Sequence, residues 1–383
     1  MKKVDTVLKL AVSLLWLCAL ASASSEYVIV NDSNTVSNSA ILYKLNTKTG
    51  KLAKAGVLHT GGQASAYDLY FFQVQQAVTP QAGCMFALDT GSSDIAAFSK
   101  SSRYKRVGRY FRAELIAGAN GGSLALAPNG KFLYANYGET GNMGLWSVNS
   151  DCTLTFVAEY GTGTVFGPIK VTPNGKYLVL SGTGARLYAI SKADGSLTNI
   201  GAVIFDKGPC LRIGSCTPLG IDITKDSKFA VFASSAVDIT RQHTIAVALT
   251  LRITPAGPVN PRVWVLKNSP GLYEAEFPFF SAAGYAGSGA LYLGVSGSGP
   301  TGVLTVSFQE KPMKFTVTNA TIVNPGQVGN VAVTGNTMVV AQYPNQIGVF
   351  RIQKDGSLKL LSTATIDEQG EGLFSLSIFP NTR

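Results

Sequence analysis

Residues 128–135 read Pro-Asn-Gly-Lys-Phe-Leu-Tyr-Ala, and 45 positions later residues 173–180 read Pro-Asn-Gly-Lys-Tyr-Leu-Val-Leu. A weaker copy, Lys-Asp-Ser-Lys-Phe-Ala-Val-Phe, follows 52 positions further on, at residues 225–232. Each copy joins two short apolar runs through an Asn-Gly or Asp-Ser pair, and these residues tolerate the left-handed dihedrals that a tight hairpin needs. We therefore predict a β-hairpin that recurs along the chain.

A second repeated turn precedes four leucines, Leu52, Leu154, Leu197 and Leu358, and in its clearest form it reads Asp-Gly-Ser-Leu. The leucines are separated by 102, 43 and 161 residues. These spacings fit two, one and three periods of the roughly 40–55 residues typical of propeller blades. This register predicts seven units of about 51 residues, each long enough for four short strands.

The two ends of the chain complement each other. Residues 373–381, Leu-Phe-Ser-Leu-Ser-Ile-Phe-Pro-Asn, match the first strand and turn of a unit with no second strand after it. Residues 27–31, Tyr-Val-Ile-Val-Asn, match a second strand with no first strand before it. Joined, they would complete one blade and remove two exposed sheet edges.

The composition excludes two other classes of protein. The chain is 46% apolar and only 14% charged, and it contains 41 glycines and 16 prolines among 383 residues. Coiled coils need far more charged helix formers, and disordered chains have a low apolar content. A turn-rich, all-β protein remains.

The N-terminus has the layout of a secretory signal peptide. Lys2 and Lys3 precede an eleven-residue apolar run, residues 10–20, and then Ala-Ser-Ala at residues 21–23. That run is too short to span a bilayer, and no later window is long enough. We expect residues 1–23 to be removed, which lowers the net charge from +10 to +8. Residues 24–383 would then form a single propeller domain that is secreted or periplasmic, without membrane insertion.

Four cysteines follow the predicted signal peptide: Cys84, Cys152, Cys210 and Cys216. In an oxidising compartment they could form two disulfides, with three possible connectivities, or remain as small buried thiols. Cys210 and Cys216 are six positions apart and could close a surface loop. A zinc site is not expected, because no cysteine pair has C-x-x-C spacing and the chain contains only two histidines. We predict no metal and no cofactor.

The hairpin repeat and the Asp-Gly-Ser-Leu turns resemble the lactonase-like seven-bladed β-propellers. This family includes the bacterial 6-phosphogluconolactonase type and the related repeats named for a Tyr-Val-Thr-Asn tetrad. The likeness extends over nearly all of residues 25–383 and implies an all-β, seven-bladed propeller with four antiparallel strands per blade, closed by the C-terminal strand.

The resemblance also implies an active site for the members that hydrolyse lactones. They carry His, Glu and Arg side chains around the axial opening, often with a histidine just before the strand that leads into the Pro-Asn-Gly turn. Here those places read Gly-Gly-Ser at 121–123, Gly-Pro-Ile-Lys at 167–170 and Thr-Pro-Leu-Gly at 217–220, without a histidine. A carboxylate base remains possible.

Glu274 and Glu276 are the candidate catalytic pair. They alternate on residues 273–277, so in a strand both carboxylates would share one face and could serve as acid and base, or bind a cation. Asp68, Lys170 and Glu371, at the equivalent entrances of other units, would complete a polar, ligand-binding ring. The alternative is an ordinary solvated strand end.

Residues 86–93, Phe-Ala-Leu-Asp-Thr-Gly-Ser-Ser, look like the active-site segment of aspartic proteases. That mechanism needs a second Asp-Thr-Gly or Asp-Ser-Gly, and the chain has none. In the repeat register, residues 88–90 align with Leu-Asn-Thr at 45–47, at the end of a third strand. We therefore expect Asp89 to cap a turn between outer strands, away from the axis.

Residues 100–112 contain six basic residues and no acid, interleaved with two tyrosines and a phenylalanine. This segment could hold an anionic surface such as a polysaccharide, a lipid head group or nucleic acid. Alternatively it forms the outermost strand of the second blade, where basic residues commonly prevent edge pairing. We favour the edge strand, and export argues against nucleic acid.

The predicted connections between second and third strands are long and neutral: residues 31–39, 75–83, 234–242 and 296–302. They should gather on the face where the axial pocket opens. Their hydroxyl and amide groups suit a small molecule, a glycan or a protein partner better than a phosphorylated metabolite. We therefore predict a monomeric, exported binding or scaffolding propeller that engages no nucleic acid. The alternative is a lactone hydrolase.

Overall fold

The structure is a computed structural model. It describes residues 25–65, 77–78, 83–111, 122–137, 141–163, 167–182, 184–205, 210, 216–238, 243–266, 279–285, 290–296, 301–310, 313–323, 328–342, 345–366 and 375–380. These residues form seven antiparallel sheets of four strands each, which confirms the predicted seven-bladed propeller.

The first three blades contain the strands β1 Ser25–Asn31, β2 Ser39–Asn46, β3 Leu52–His59, β4 Ala77–Val78, β5 Cys84–Asp89, β6 Asp94–Ser99, β7 Lys105–Phe111, β8 Gly122–Leu126, β9 Phe132–Tyr137, β10 Asn142–Val148 and β11 Leu154–Gly161. A short 3-10 helix, Lys100–Ser102, precedes β7. Blades 4 and 5 contain β12 Ile169–Val171, β13 Tyr177–Ser181, β14 Ala185–Ile190, β15 Leu197–Val203, β16 Cys216–Ile223, β17 Phe229–Asp238, β18 His243–Thr254 and β19 Gly257–Val265. Blades 6 and 7 contain β20 Phe279–Tyr285, β21 Ala290–Ser296, β22 Gly302–Glu310, β23 Met313–Ile322, β24 Val328–Thr334, β25 Thr337–Gln342, β26 Gln346–Ile352 and β27 Leu358–Thr365. The last strand is β28 Ser375–Pro380.

The ring closes as the chain ends predicted. In blade 1 the order is β28-β1-β2-β3, so the C-terminal strand supplies the inner strand beside β1. The pairing is antiparallel, with Glu26 opposite Pro380 and Asn31 opposite Ser375. In each remaining blade the strands follow chain order from the axis outward, so each inner strand adjoins those of the two neighbouring blades.

The hydrophobic core is divided into layers between neighbouring blades. Strand β9 shows how this arises, because successive side chains of a strand point to opposite faces. Leu133 and Ala135 pack towards blade 2, whereas Phe132 and Tyr134 pack towards blade 4. In the described residues, seven such clusters fill the seven blade interfaces.

The repeated turns occupy one face of the ring, which we call the turn face. The hairpins at 128–131, 173–176 and 225–228 join first to second strands, and the Asp-Gly-Ser-Leu turns join third to fourth strands. Gly195 shows why one such turn needs glycine: its φ is +75°, and a Cβ there would lie 2.6 Å from the ring of Phe132. The second-to-third connections and the links between blades lie on the opposite face, the loop face.

Two disulfides reinforce the ring: Cys84 pairs with Cys152, and Cys210 with Cys216. The first joins the start of β5 in blade 2 to the outer turn of blade 3. Cys152 has a φ of +71° and occupies the place that Gly195 holds in the equivalent turn. The second closes the predicted loop between blades 4 and 5, so the alternative of four unpaired thiols is wrong.

Candidate functional site

Lys170 is the one predicted site residue within the described part of the chain. It lies on inner strand β12, and its ammonium forms an ion pair with Asp222 of inner strand β16, with Nζ 2.8 Å from Oδ1. The Lys170 side chain is about one-third exposed, whereas that of Asp222 is largely buried. Asp68, Glu274, Glu276 and Glu371 lie outside the described residues. Their convergence with Lys170 therefore stays a prediction.

A cavity of about 950 Å³ opens on the turn face, across blades 4 to 7. Its wall contains Asp222 of the ion pair. Much of the remaining wall consists of neutral hydrogen-bonding side chains, namely Tyr292, Thr305, Ser307, Thr318, Asn336 and Gln353. Two lysines, Lys225 and Lys354, are balanced by Asp222 and Asp355, so the cavity carries little net charge. These features suit a polar, uncharged ligand.

The hydroxyl of Tyr292 is buried in this wall without a hydrogen-bond partner. Burial raises the pKa of the tyrosine above its ordinary value. The hydroxyl therefore stays protonated at neutral pH. It lies behind the cavity surface, so a ligand would reach this donor once the side chains that cover it move aside. An unpaired buried hydroxyl costs about 1–3 kcal/mol, so a ligand that accepts its hydrogen bond would recover that free energy.

Comparison with blade 3 shows how the surroundings of the two tyrosine hydroxyl groups differ. Tyr134 holds the equivalent position in β9, and its hydroxyl donates to the carbonyl of Gly195 in the next blade, at 2.8 Å. The carbonyl equivalent to that of Gly195, in the Asp-Gly-Ser-Leu turn of blade 7, belongs to Gly356. It already accepts a hydrogen bond from the Thr305 hydroxyl, at 3.0 Å.

The residue opposite the tyrosine also differs between the two blades. Tyr292 pairs with Thr305 across β21 and β22, whereas Tyr134 pairs with Leu145 across β9 and β10. Leucine cannot donate a hydrogen bond, so in blade 3 the tyrosine alone of this pair bonds to the turn carbonyl. The sequence analysis did not predict this site, because charged residues were its guide and much of the cavity wall is neutral. The detectable pattern was a tyrosine two residues into the second strand combined with a polar residue opposite it.

Asp89 lies on the loop face and corrects the repeat register. It ends β5, the second strand of blade 2, and pairs with Asp94 at the start of β6. The alignment with a third strand was therefore wrong. The predicted second-to-third connection at 75–83 is wrong for the same reason, because β4 and β5 are the first and second strands. The true connection is the short turn 90–93.

The environment of Asp89 is closed. Its side chain is fully buried, and Oδ1 accepts a hydrogen bond from the Asn38 amide at 2.7 Å. Oδ2 has no partner, and a side chain at Gly62 would overlap it. Burial and the nearby charge of Asp94 raise the pKa of Asp89 to about 7. No substrate can reach this carboxyl group, which excludes a role like that of an aspartic protease.

Asp94, which lies opposite Asp89 in the sheet, forms an ion pair. Arg109 of β7 binds both of its carboxylate oxygens, with Nε 2.6 Å from Oδ2 and Nη2 2.8 Å from Oδ1. Strand β7 is the outermost strand of blade 2, as the basic segment predicted. Part of that segment therefore neutralises a buried carboxylate in addition to forming a sheet edge.

Two absences concern the described residues alone. No three His, Cys, Asp or Glu side chains among them converge as metal ligands would. No helix in the same part of the chain has the length and hydropathy to cross a membrane.

No protein-family model matches this chain, and no curated protein matches it by sequence. Solved structures do match. A candidate 6-phosphogluconolactonase from Bacteroides fragilis aligns with a TM-score of 0.69 at 15% identity, covering 94% of this chain and 99% of that one. A periplasmic gluconolactonase from Pseudomonas aeruginosa aligns with a TM-score of 0.65 at 14% identity, covering 93% and 99%. At these identities the match shows the fold, so the chain has the seven-bladed propeller fold found in these lactonase-like proteins.

Proposed function

We propose that this protein is an exported, monomeric propeller that binds a small polyhydroxylated molecule, such as a sugar or an aldonolactone, in the turn-face cavity. The observation that carries this proposal is the neutral wall with the unpartnered Tyr292 hydroxyl. A hydroxyl-rich ligand can both donate to and accept from such a wall. A phosphorylated metabolite would instead call for an arginine cluster or a helix N-terminus.

Export is supported by two features of the chain. The layout of residues 1–23 is that of a signal peptide, and the two disulfides would persist only in an oxidising compartment. The Pseudomonas aeruginosa protein of the same fold is described as periplasmic. The ligand would therefore be a molecule present outside the cytoplasm.

Lactone hydrolysis is the second candidate, and the Lys170–Asp222 ion pair beside the cavity favours it. A carboxylate can take a proton from water as the water oxygen attacks the lactone carbonyl, and an ammonium can stabilise the oxyanion that forms. Ring opening then leaves a hydroxy acid. Two proteins of the same fold are named as gluconolactonases or candidates for a related activity.

The predicted axial set is a competing site for the same reaction. It comprises Glu274 and Glu276 as acid and base, with Asp68, Lys170 and Glu371 around them. Replacing Glu274 and Glu276 together with Gln keeps their size and removes their charge. If the axial site is the functional one, this double variant should lose activity while the fold survives.

The test of binding uses two tyrosine variants. Titration calorimetry with glucose, gluconate and glucono-1,5-lactone should detect binding, and Tyr292→Phe should weaken it by roughly three- to tenfold, the effect of one hydrogen bond. Tyr134→Phe is the matched control, because that hydroxyl bonds within the protein, and it should leave affinity unchanged. Equal affinities in the wild type and Tyr292→Phe would reject the cavity as the binding site.

Hydrolysis is measured separately, from the acid released by glucono-1,5-lactone above its spontaneous rate. Catalysis that Asp222→Asn abolishes, with binding retained, would establish the second candidate. Binding without enhanced hydrolysis would leave the protein as a ligand binder.

A further inference from the structure

A second concave surface lies between the outer parts of blades 1 and 2, far from the turn-face cavity. It has a volume of about 330 Å³ and is lined by residues 55–59 of β3 and by residues 103–106, which lead from the 3-10 helix into β7. Leu42 and Phe98 also line it. We call this surface the basic groove.

The charge of the basic groove is one-sided. Segments 52–59 and 100–111 contain lysines, arginines and a histidine, and no Asp or Glu. Arg109 is neutralised by Asp94, and Arg106 donates to the carbonyl of Thr60 at 2.6 Å. Within the described residues, the side chains of Arg103 and Lys105 have no ion-pair partner. Both are exposed beside the groove, so two cations are available to a ligand.

The turn that carries these cations has an unusual backbone. Arg103 and Tyr104 are consecutive non-glycine residues with positive φ, +57° and +59°. Such residues cost on the order of 1 kcal/mol or more each and tend to cluster at functional sites. The Arg103 N–H donates to the carbonyl of Lys100 at 2.9 Å, and the Tyr104 N–H to that of Ser99 at 2.8 Å. Two glycines would form this turn with less strain, so the turn presents an arginine and a tyrosine at the groove at a cost in stability.

Tyr104 adds an aromatic surface to the positive charge. Its ring is half-buried and meets that of Tyr27 edge to face, with centroids 6.3 Å apart. A partly exposed aromatic ring beside cations suits a sugar ring that bears an acidic group, because the apolar face of the sugar can pack on the aromatic ring.

We propose that the basic groove binds an anionic polysaccharide, with Arg103 and Lys105 holding its carboxylate or sulfate groups and Tyr104 contacting a sugar ring. Two disulfides fit an exported protein, and this environment favours acidic polysaccharides over nucleic acids as polyanions. The role is independent of the turn-face cavity.

The experiment compares two double variants of the full mature chain that have the same net charge. Arg103→Ala with Lys105→Ala removes the groove cations, and Lys176→Ala with Lys192→Ala removes two exposed lysines from blade 4. Polygalacturonate tests carboxylates and dextran sulfate tests sulfates, with neutral dextran as the blank. We expect the groove variant to lose at least tenfold in affinity at 50 mM salt and the blade 4 variant less than threefold. In a plot of the logarithm of the association constant against the logarithm of the salt concentration, the slope should become shallower by about one for each groove cation removed.

A third variant excludes loss of folding as the cause. Arg103→Gly removes a cation and relieves the left-handed strain, so it should raise the melting temperature while weakening binding.

Equal losses in the two double variants would show that net charge alone attracts the polymer and would overturn the proposal. Tighter binding to a 20-base-pair DNA duplex or to vesicles containing phosphatidylglycerol than to either polysaccharide would overturn it as well.

Discussion

Tyr134 in blade 3 and Tyr292 in blade 6 occupy equivalent positions, yet they differ in what their hydroxyl groups contact. Tyr134 bonds to the next blade through Gly195. Tyr292 faces an equivalent turn whose carbonyl already bonds to Thr305, and a cavity lies beside it. Equivalent tyrosines of two blades thus differ in whether their hydroxyl groups bond to the next blade, and they face leucine in one blade and threonine in the other.

The two sides of the ring also differ in their covalent links and in their cavities. The Cys84–Cys152 disulfide joins blade 2 to blade 3, and Asp89 is enclosed between blades 1 and 2. The large cavity lies on the other side, across blades 4 to 7. We call blades 1 to 3 the closed side and blades 4 to 7 the open side. If the two sides differ in this way, substitutions on each side should have different effects on stability.

Truncation after Gly372 should affect both sides together. It removes β28, whose Leu376 is buried in the core between blades 7 and 1, and it exposes the edge of β1. Because a propeller is stabilised as a closed ring, we expect the single cooperative melting transition to be lost. Calorimetry provides the measurement. Unchanged melting of the truncated chain would contradict ring closure as the basis of stability.

Removing the Cys84–Cys152 disulfide should destabilise the protein by roughly 4 kcal/mol, since the bond closes a loop with a sequence separation of 68. The double Ser variant at Cys210 and Cys216 is the matched control, with a separation of 6 and an expected cost of roughly 2 kcal/mol. Urea unfolding at one pH measures both. A larger loss at the short loop would contradict the view that the closed side depends on its disulfide.

Asp89→Asn should remove a pH dependence of folding stability that arises from this buried carboxyl group on the closed side. Because burial and Asp94 raise the folded-state pKa to about 7 from 3.8, the folded protein holds this proton more tightly than the unfolded chain. The contribution of this proton to the free energy of unfolding is complete below about pH 4 and is lost as the pH rises to about 7. The variant should therefore be more stable than the wild type at pH 8, by on the order of a few kcal/mol. The difference should disappear at pH 4.

Urea unfolding of both proteins from pH 4 to pH 8 tests this expectation. A wild-type stability that rises steadily with pH, with the variant parallel to it, would contradict a raised pKa. Asparagine can still accept the Asn38 hydrogen bond, so the cost at low pH should be small, as the structural role we predicted for Asp89 requires.

The smallest effects come from the two tyrosines themselves. Tyr134→Phe should cost about 1 kcal/mol, the net value of a typical hydrogen bond, whereas Tyr292→Phe should be neutral or slightly stabilising. In a Thr305→Val background the Gly356 carbonyl becomes available, so Tyr292→Phe should then cost about 1 kcal/mol. Urea denaturation of the four proteins in this double-mutant cycle gives the free energies of unfolding that are compared. Additive changes would show that Thr305 does not control the Tyr292 hydroxyl.

The sequence predicted the architecture because hairpin turns and apolar strands repeat at a nearly fixed period. It assigned the wrong strand to Asp89 because turns on the two faces use the same residue types: Asp-Thr-Gly at 89–91 resembles Asn-Thr-Lys at 46–48. It also missed the cavity, since the state of Tyr292 depends on a residue opposite it and on a turn in the next blade. Lys170 was chosen for its charge, but its partner Asp222 lies 52 residues away in the chain.

The layered core gives neighbouring residues in the chain separate environments. Leu133 belongs to the packing between blades 2 and 3, and Tyr134, one position later, to the packing between blades 3 and 4. Substitutions in different layers should have nearly additive effects on folding, whereas substitutions within one layer should interact. A propeller built in this way can accumulate changes at one blade interface, such as the one around Tyr292, while the packing of the distant interfaces is preserved.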